Sequence, residues 1–552
     1  MPEEIIQYLR NQTIGRDYIF NGPFGPRILT YADFIASGRS LQFIEDEMQE
    51  ILKIYANTHT QDDFTGRSIT SLLHLAENYI KKSIGLGLGL GLSLSLLGLD
   101  YKLISCQNTT HAINKLQQIL GLYIPPATKK YLNIDKSKSK SKDYKERVVI
   151  IGPFEHHSNE ISWRSCLCTV LKIKLANGFI DLNHLETLLQ ENMSKKCYIS
   201  MSAASNVTGL MAPVAKIVTI GHKYGIPVFI DYAAAGPYVS IDLKEVPIDA
   251  IFLSGHKFIG GPGSCGLLVF NEKLYDRTSD PTVSGGGTVS YVNETEEDYL
   301  SDIEEREKAG TPSILETIRL SKAFEVKNMV SHELITSIEN RYLHKVLIGL
   351  RHKNVFILGP LGQPDLQFSS LKDFLSIISI NIRDPRRPDH FLHHRLVSVL
   401  LNDLFGLQTR AGCNCAGPYG HLLMNIDQEL SDKYRNVINN GLNGLKPGWV
   451  RIGLHYTMSE IEVDFIIGSI CFLADHGYKF IKLYNFDAFS GSWIYRNDSF
   501  NDSFNDSFDK SDKIGDSCNV NREILYTKYF KKSLQLVTKL EKLENLIFFS
   551  LS

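Results

Sequence analysis

No charge of one sign dominates this chain of 552 residues. Lys and Arg number 59 against 61 Asp and Glu, a formal net charge of −2. That balance argues against broad electrostatic attraction to nucleic acid or to an anionic membrane. Cysteines are few and odd in number, nine in all, so a secreted disulfide framework is not expected and a reducing, cytoplasmic compartment fits. Neither Cys166/Cys168 nor Cys413/Cys415 has the second cysteine pair that a zinc site needs, and no metal is expected. An apolar leader is missing too: MPEEIIQYLRNQ carries acids at once, so neither a secretory signal nor a transit peptide is expected. Long apolar runs are lacking but for one, Ser83–Leu99, which is uncharged throughout. It lies at the short limit for a membrane span, and its Gly-Leu alternation suits a helix poorly, so it reads as a low-complexity insert.

What remains is an ordinary globular composition, 43% hydrophobic and 22% charged, on a chain long enough for two to four domains. The expected divisions are an N-terminal arm with part of a small domain (1–70), a large domain (71–330), a smaller α+β domain (331–483), and a linker with a terminal helix (484–552). KSKSKSK at Lys136–Lys142 and the four-residue repeat NDSFNDSFNDSF at Asn497–Phe508 read as polar low-complexity segments. Short apolar runs at Tyr101–Ser105, Val148–Ile151, Tyr198–Met201, Val228–Ile230, Ile251–Leu253 and Leu267–Phe270 read as strands. Between them, helical patterns such as Val214, Ile217, Val218 and Gly221 put apolar residues on one face. Strand, helix and strand at this spacing indicate an α/β class with a mostly parallel sheet flanked by helices.

Two strand ends concentrate the chemistry. The run Val228–Ile230 ends in Asp231, and Ile251–Leu253 runs into Ser254-Gly255-His256-Lys257. Ligands of open α/β sheets sit beyond the carboxyl ends of the strands. An acid and a lysine meeting there suit pyridoxal phosphate, the lysine as Schiff base and the acid on the pyridinium nitrogen. Alone, Lys257 could be a surface lysine and Asp231 a turn cap. The polar turn Gln107–Thr110 opens a helix and is either an anion site or a plain N-cap. His156 and His157 are core residues, metal residues or, for His156, a ring against the cofactor. Arg410 and Arg451 lie in glycine-rich, strand-like contexts. One of them is expected to pair with a substrate carboxylate, with Arg451 preferred. Cys415, between Gly412 and Gly417, is a candidate nucleophile on a loop free to approach the cofactor.

Taken together, TTHAIN (Thr109–Asn114), EHHSN (Glu155–Asn159), SNVTG (Ser205–Gly209), DYAA (Asp231–Ala234), SGHKF (Ser254–Phe258), GGGT (Gly285–Thr288), RAGCNCAGP (Arg410–Pro418) and WVRIGLHY (Trp449–Tyr456) occur in a family's order over roughly residues 25–475. The chain resembles the class V aminotransferase family of fold type I pyridoxal-phosphate enzymes, in its cysteine desulfurase and selenocysteine lyase branch. The resemblance implies a seven-stranded sheet, with Lys257 carrying the cofactor, Asp231 on the ring nitrogen and His156 stacked on the ring. It places Asn206 near the ring hydroxyl and Thr110, or Thr109, with Ser254 and His256 at the phosphate. It implies a homodimer in which Thr288 reaches the partner's phosphate, Arg451 with Arg410 on the substrate carboxylate, and Cys415 as the persulfide former. The implied substrate is cysteine or selenocysteine, with a protein as sulfur acceptor. The chain departs from the family at Ala234, where a glutamine is common, and at the phosphate turn, which lacks its usual glycines. Rival readings are a transaminase, lyase or epimerase reaction that needs Lys257 but not Cys415, and a non-catalytic scaffold.

Overall fold

The computed structural model describes residues 2–58, 60–87, 100–132, 134, 146–364, 368–496 and 521–550. Most of the Gly-Leu tract, the Lys-Ser tract and the NDSF repeat lie outside the described residues.

A seven-stranded sheet forms the larger part. Its strands are β1 (Tyr101–Cys106), β2 (Arg147–Ile151), β3 (Thr169–Lys172), β4 (Lys196–Ser202), β5 (Val228–Asp231), β6 (Ala250–Ser254) and β7 (Gly266–Asn271). They lie in the order β1-β7-β6-β5-β4-β2-β3. Only β7 runs against its neighbours, the other pairs being parallel. The sequence dictates this burial: β5 and β6 read VFID and AIFLS and are buried at every position, as strands covered on both faces should be. Val228 and Ile230 join one core, while Phe229 joins the other with Trp163, Tyr198 and Phe252. The helix Val214–Lys223 covers one face through Ile217, Val218 and Gly221. The register sets Asp231 beside Ser202 and Phe252, so the polar strand ends share one edge.

A second sheet, of five strands, holds β8 (Val355–Ile357), β9 (Ile377–Asp384), β10 (Arg410–Gly412) and β11 (Trp449–Gly453) in the order β8-β9-β11-β10, with Arg387–Phe391 pairing with β9 off this path. The N-terminal segment joins its edge: Thr30–Tyr31 pairs with Leu407–Gln408, and Asp33 bridges to Gly453. The terminal helix Arg522–Ser550 lies against this segment. Its Tyr526 and Thr30 hydroxyls are 2.8 Å apart, Ile28 N–H donates to the Tyr529 hydroxyl at 2.9 Å, and Arg522 pairs with Asp17 at 3.0 Å. Among the described residues no helix is long and apolar enough to cross a membrane.

Candidate active site

A cavity of about 250 Å³ opens at the carboxyl edge of the large sheet. It gathers Lys257, Asp231, His156, Asn206, Thr109, Thr110, Ser254, His256, Arg410, Arg451 and Cys415. Thr288 is not among its lining residues. It is fully buried, and its hydroxyl donates to Gly285 O at 2.6 Å.

The floor comes from strand ends. Asp231 closes β5, and Ala233 N–H donates to its Oδ1 at 2.8 Å. Burial raises the Asp231 pKa, against that hydrogen bond and the charge of Lys257. Lys257 ends the short 3₁₀ turn Gly255–Lys257 after β6. Desolvation brings its pKa down to about 8, opposed by Asp231 and assisted by Arg451 and Arg410. A sizeable fraction is therefore neutral amine near neutral pH, the form that attacks a carbonyl.

His156 caps the helix His157–Ser165, with Ser158 N–H donating to its Nδ1 at 3.2 Å. A ring nitrogen that accepts a backbone N–H carries no proton, so the neutral ring holds its proton on Nε2. Burial, then Lys257, His157 and Arg451, lower its pKa to about 4. Behind it, buried Glu155 accepts from Ser202 N–H at 2.9 Å and from the Ser202 hydroxyl at 2.7 Å, holding Ser202 beside Asp231. Desolvation pushes Glu155 up to about 7.

At the anion end, Asn108 caps the helix Thr109–Ile119 by accepting from His111 N–H. The Thr109 hydroxyl is committed to Leu253 O at 3.0 Å, which fastens the turn to β6. The exposed Thr110 hydroxyl lies 2.8 Å from Ser158 Oγ, which in turn is 3.0 Å from His156 Nδ1. The turn needs no glycine of its own because β7 supplies one: a Cβ at Gly266 would stand 2.4 Å from the Asn108 carbonyl carbon. The N-terminal segment crosses the lysine turn just as closely, with Gly38 N–H donating to His256 O at 2.9 Å.

The roof comes from elsewhere in the chain. Arg410 and Arg451 are cross-strand partners on β10 and β11. Asp33 bridges them, with Oδ1 at 2.7 Å from Arg451 Nη2 and Oδ2 at 2.9 Å from Arg410 Nε. Cys413–Ala416 is a reverse turn closed by Ala416 N–H on Cys413 O at 3.0 Å, with Asn414 at φ +50° and Cys415 at φ +56°. Positive φ at two non-glycine residues costs on the order of 1–3 kcal/mol each, so the surroundings must hold the turn in place. They do: His157 N–H donates to Cys415 O at 2.8 Å, Gly417 N–H donates to His157 Nε2 at 3.1 Å, and Asn206 Nδ2 donates to Asn414 O at 2.8 Å. Cys415 is left exposed.

Sequence reasoning missed Asp33, His157, Ser158 and Ser202. The doubled histidine after β2 was the one available signal for His157. Asp33 carries none, because its two arginine partners are brought to it only by the fold.

The donor set fits pyridoxal phosphate. Lys257 and Asp231 lie at adjacent strand ends, a neutral imidazole lines the same cavity, and a helix N-terminus with Thr110, Ser254 and His256 offers an anion cradle. Asn206 Oδ1 and Arg451 Nε are buried without a partner, as expected of groups awaiting a ligand.

Residues 31–466 match the family described as Aminotransferase class-V. Cysteine desulfurases of Shigella sonnei (strain Ss046) and Escherichia coli O127:H6 are each 28% identical to the chain over 276 residues, 49% of this chain and 62% of theirs. The chain thus spans about three-fifths of the length of the curated relatives it matches. Among solved structures, the cysteine desulfurase of Thermococcus onnurineus NA1 superimposes with a TM-score of 0.63 at 21% identity, over 81% of this chain and 95% of that one. The Escherichia coli cysteine desulfurase CsdA gives 0.62 at 18% identity, over 85% and 98%. At these identities the likeness to the solved structures is one of fold.

Proposed function

Because the chain belongs to the aminotransferase class-V family and is a pyridoxal-phosphate-dependent enzyme, we propose that it is a cysteine desulfurase. L-cysteine and the Cys415 thiol give L-alanine and a persulfide on Cys415. The observation that carries this reading is the exposed Cys415, fixed by His157 and Asn206 at the cavity that holds Lys257. A transamination, lyase or epimerase step has no use for a thiol so held.

Bound in the cavity, the cofactor supplies a carbonyl for Lys257 and an electron sink for charge developing at the substrate Cα. Asp231 holds the ring nitrogen protonated. Thr110, Ser254 and His256 take the phosphate with the helix N-terminus. Arg451 binds the substrate carboxylate, which sets the Cα proton within reach of the Lys257 amine. Neutral His156 would keep a proton on Nε2 while lining the cofactor's cavity. Cys415 Sγ attacks the substrate sulfur: an S–S bond forms, the Cβ–S bond breaks, and Lys257 returns protons to the carbon skeleton to complete alanine. Selenocysteine would enter by the same contacts.

The exposure of Cys415 suits transfer of its sulfur to a protein acceptor. The working form in this reading is a homodimer, supported by exposed Tyr291 and Val292 on the hairpin that follows Thr288. A cytoplasmic setting agrees with the eight described cysteines, none of which is in a disulfide. The test is to give cofactor-loaded enzyme L-cysteine and to measure alanine and the mass of the Cys415 peptide. One added sulfur on that peptide, matched by alanine, is expected. Loaded enzyme that makes no alanine would overturn the reading.

A further inference from the structure

Two helices open onto the cavity, and they meet there through their hydroxyls. Thr110 is the second residue of the helix Thr109–Ile119, and Ser158 is the second residue of the helix His157–Ser165. Both line the cavity, with His156 beside them. The three side chains form one chain of contacts. Thr110 Oγ1 lies 2.8 Å from Ser158 Oγ, and Ser158 Oγ lies 3.0 Å from His156 Nδ1. Nδ1 also accepts from Ser158 N–H at 3.2 Å, so it carries no proton of its own. A hydroxyl has a single proton to give. With Nδ1 unprotonated, both contacts are hydrogen bonds in one direction only: Thr110 donates to Ser158, and Ser158 donates to Nδ1.

An anion on Thr110 changes that direction. A charged acceptor makes the stronger hydrogen bond and takes the Thr110 proton. Were Ser158 then to keep its bond to Nδ1, two hydroxyl oxygens would face each other at 2.8 Å with no proton between them. We propose that Ser158 is a hydroxyl relay between the anion end of the cavity and the imidazole: an anion held by Thr110 turns the Ser158 proton away from His156 Nδ1 and towards Thr110 Oγ1. Each proton stays on its own oxygen, and only the two Cβ–O bonds rotate. Nδ1 then keeps the backbone N–H of Ser158 as its one donor. Hydrogen bonds to the neutral form of a base oppose its protonation, so losing one makes the ring more basic. The charged and titratable groups that face this ring are Lys257, His157 and Arg451, and all of them, like burial, oppose its protonation. The relay works against that set. Ser158 acts through Thr110 and His156 and is a positioning residue in this scheme.

The inference rests on the reading of Thr110 as an anion ligand, and it deepens the proposed function by tying the seating of a phosphate to the state of the imidazole. Its test is nitrogen-15 NMR of full-length, histidine-labelled apoenzyme at mildly alkaline pH, with inorganic phosphate as the probe. Calorimetry follows phosphate saturation, and His156→Gln assigns the signals by their loss. An unprotonated ring nitrogen resonates further downfield when it loses a donor. In wild type, saturating phosphate should move the Nδ1 signal downfield, to where Ser158→Ala already has it. In Ser158→Ala the signal should stay in place, and in Thr110→Val it should keep the upfield position of phosphate-free wild type. Wild type that takes up phosphate without the shift would overturn the inference, and this arm needs neither relay variant to fold. Wild type that binds no phosphate, or a shift in Ser158→Ala as large as in wild type, would overturn it as well. Failure of the desulfurase reading looks different: the shift appears, yet the loaded enzyme makes no alanine from cysteine.

Discussion

The floor of the cavity is built from adjacent strand ends, and two of its polar groups are held by neighbours in the chain. Asp231 is held by Ala233, and His156 by Ser158, each two residues away. The roof is assembled across the whole molecule: Asp33 meets Arg410 and Arg451 over separations of 377 and 418 residues. Cys415 is fixed there by His157, which belongs to the large sheet's side. The floor carries the groups that fit the cofactor. In the desulfurase reading, a roof of distant contacts would select the reaction, and it depends on several segments keeping their places.

Removing the floor's covalent anchor should have the largest effect. Lys257→Ala is expected to abolish the covalent cofactor absorption band and to lower alanine formation by a factor on the order of a thousand or more. Loosening the roof without touching the floor should cost less. His157→Ala frees the Cys415 turn at Gly417, and a displaced nucleophile should lower kcat by about tenfold to a hundredfold. Cofactor absorption and the KM for cysteine should stay as in wild type, and His157→Gln, whose amide oxygen can accept from Gly417 N–H, should recover part of the rate.

Burial of Lys257 in the floor should also dominate the pH dependence of cofactor loading. The Lys257 pKa is lowered to about 8 by burial, so its neutral fraction rises about tenfold per pH unit below that value and saturates above it. The rate at which apoenzyme takes up pyridoxal phosphate should climb to about pH 8 and then level. A climb continuing to about pH 10 would mean an ordinary, solvated lysine. The smallest effect separates two adjacent threonines. Thr110→Val should weaken cofactor binding by about tenfold, the worth of one lost hydrogen bond to a charged group. Thr109→Val should instead lower the melting temperature, because it breaks only the bond to Leu253 O, worth about 1 kcal/mol.

The same contrast governs what could be read before any coordinates. Parallel strands buried on both faces are unbroken apolar runs, so β2, β5 and β6 stand out, and the polar residues that end them point to the cofactor. Asp231 and Lys257 are legible for that reason. The choice between Thr109 and Thr110 is not, because it turns on which hydroxyl the Leu253 carbonyl captures. Asp33 sits in the unremarkable stretch Thr30–Gly38, and nothing in its spacing relates it to two arginines near the other end of the chain. The terminal helix has a legible pattern but no legible partner: only the fold sets Tyr526 and Tyr529 against the segment that leads to Asp33.

The separation of floor from roof is tested most directly by alanine release from L-cysteine in Cys415→Ala beside wild type, with the cofactor absorption of each recorded. The expected result is an unchanged absorption band and a loss of alanine formation of about a hundredfold or more. Alanine released at the wild-type rate would contradict it, since the floor alone would then perform the reaction.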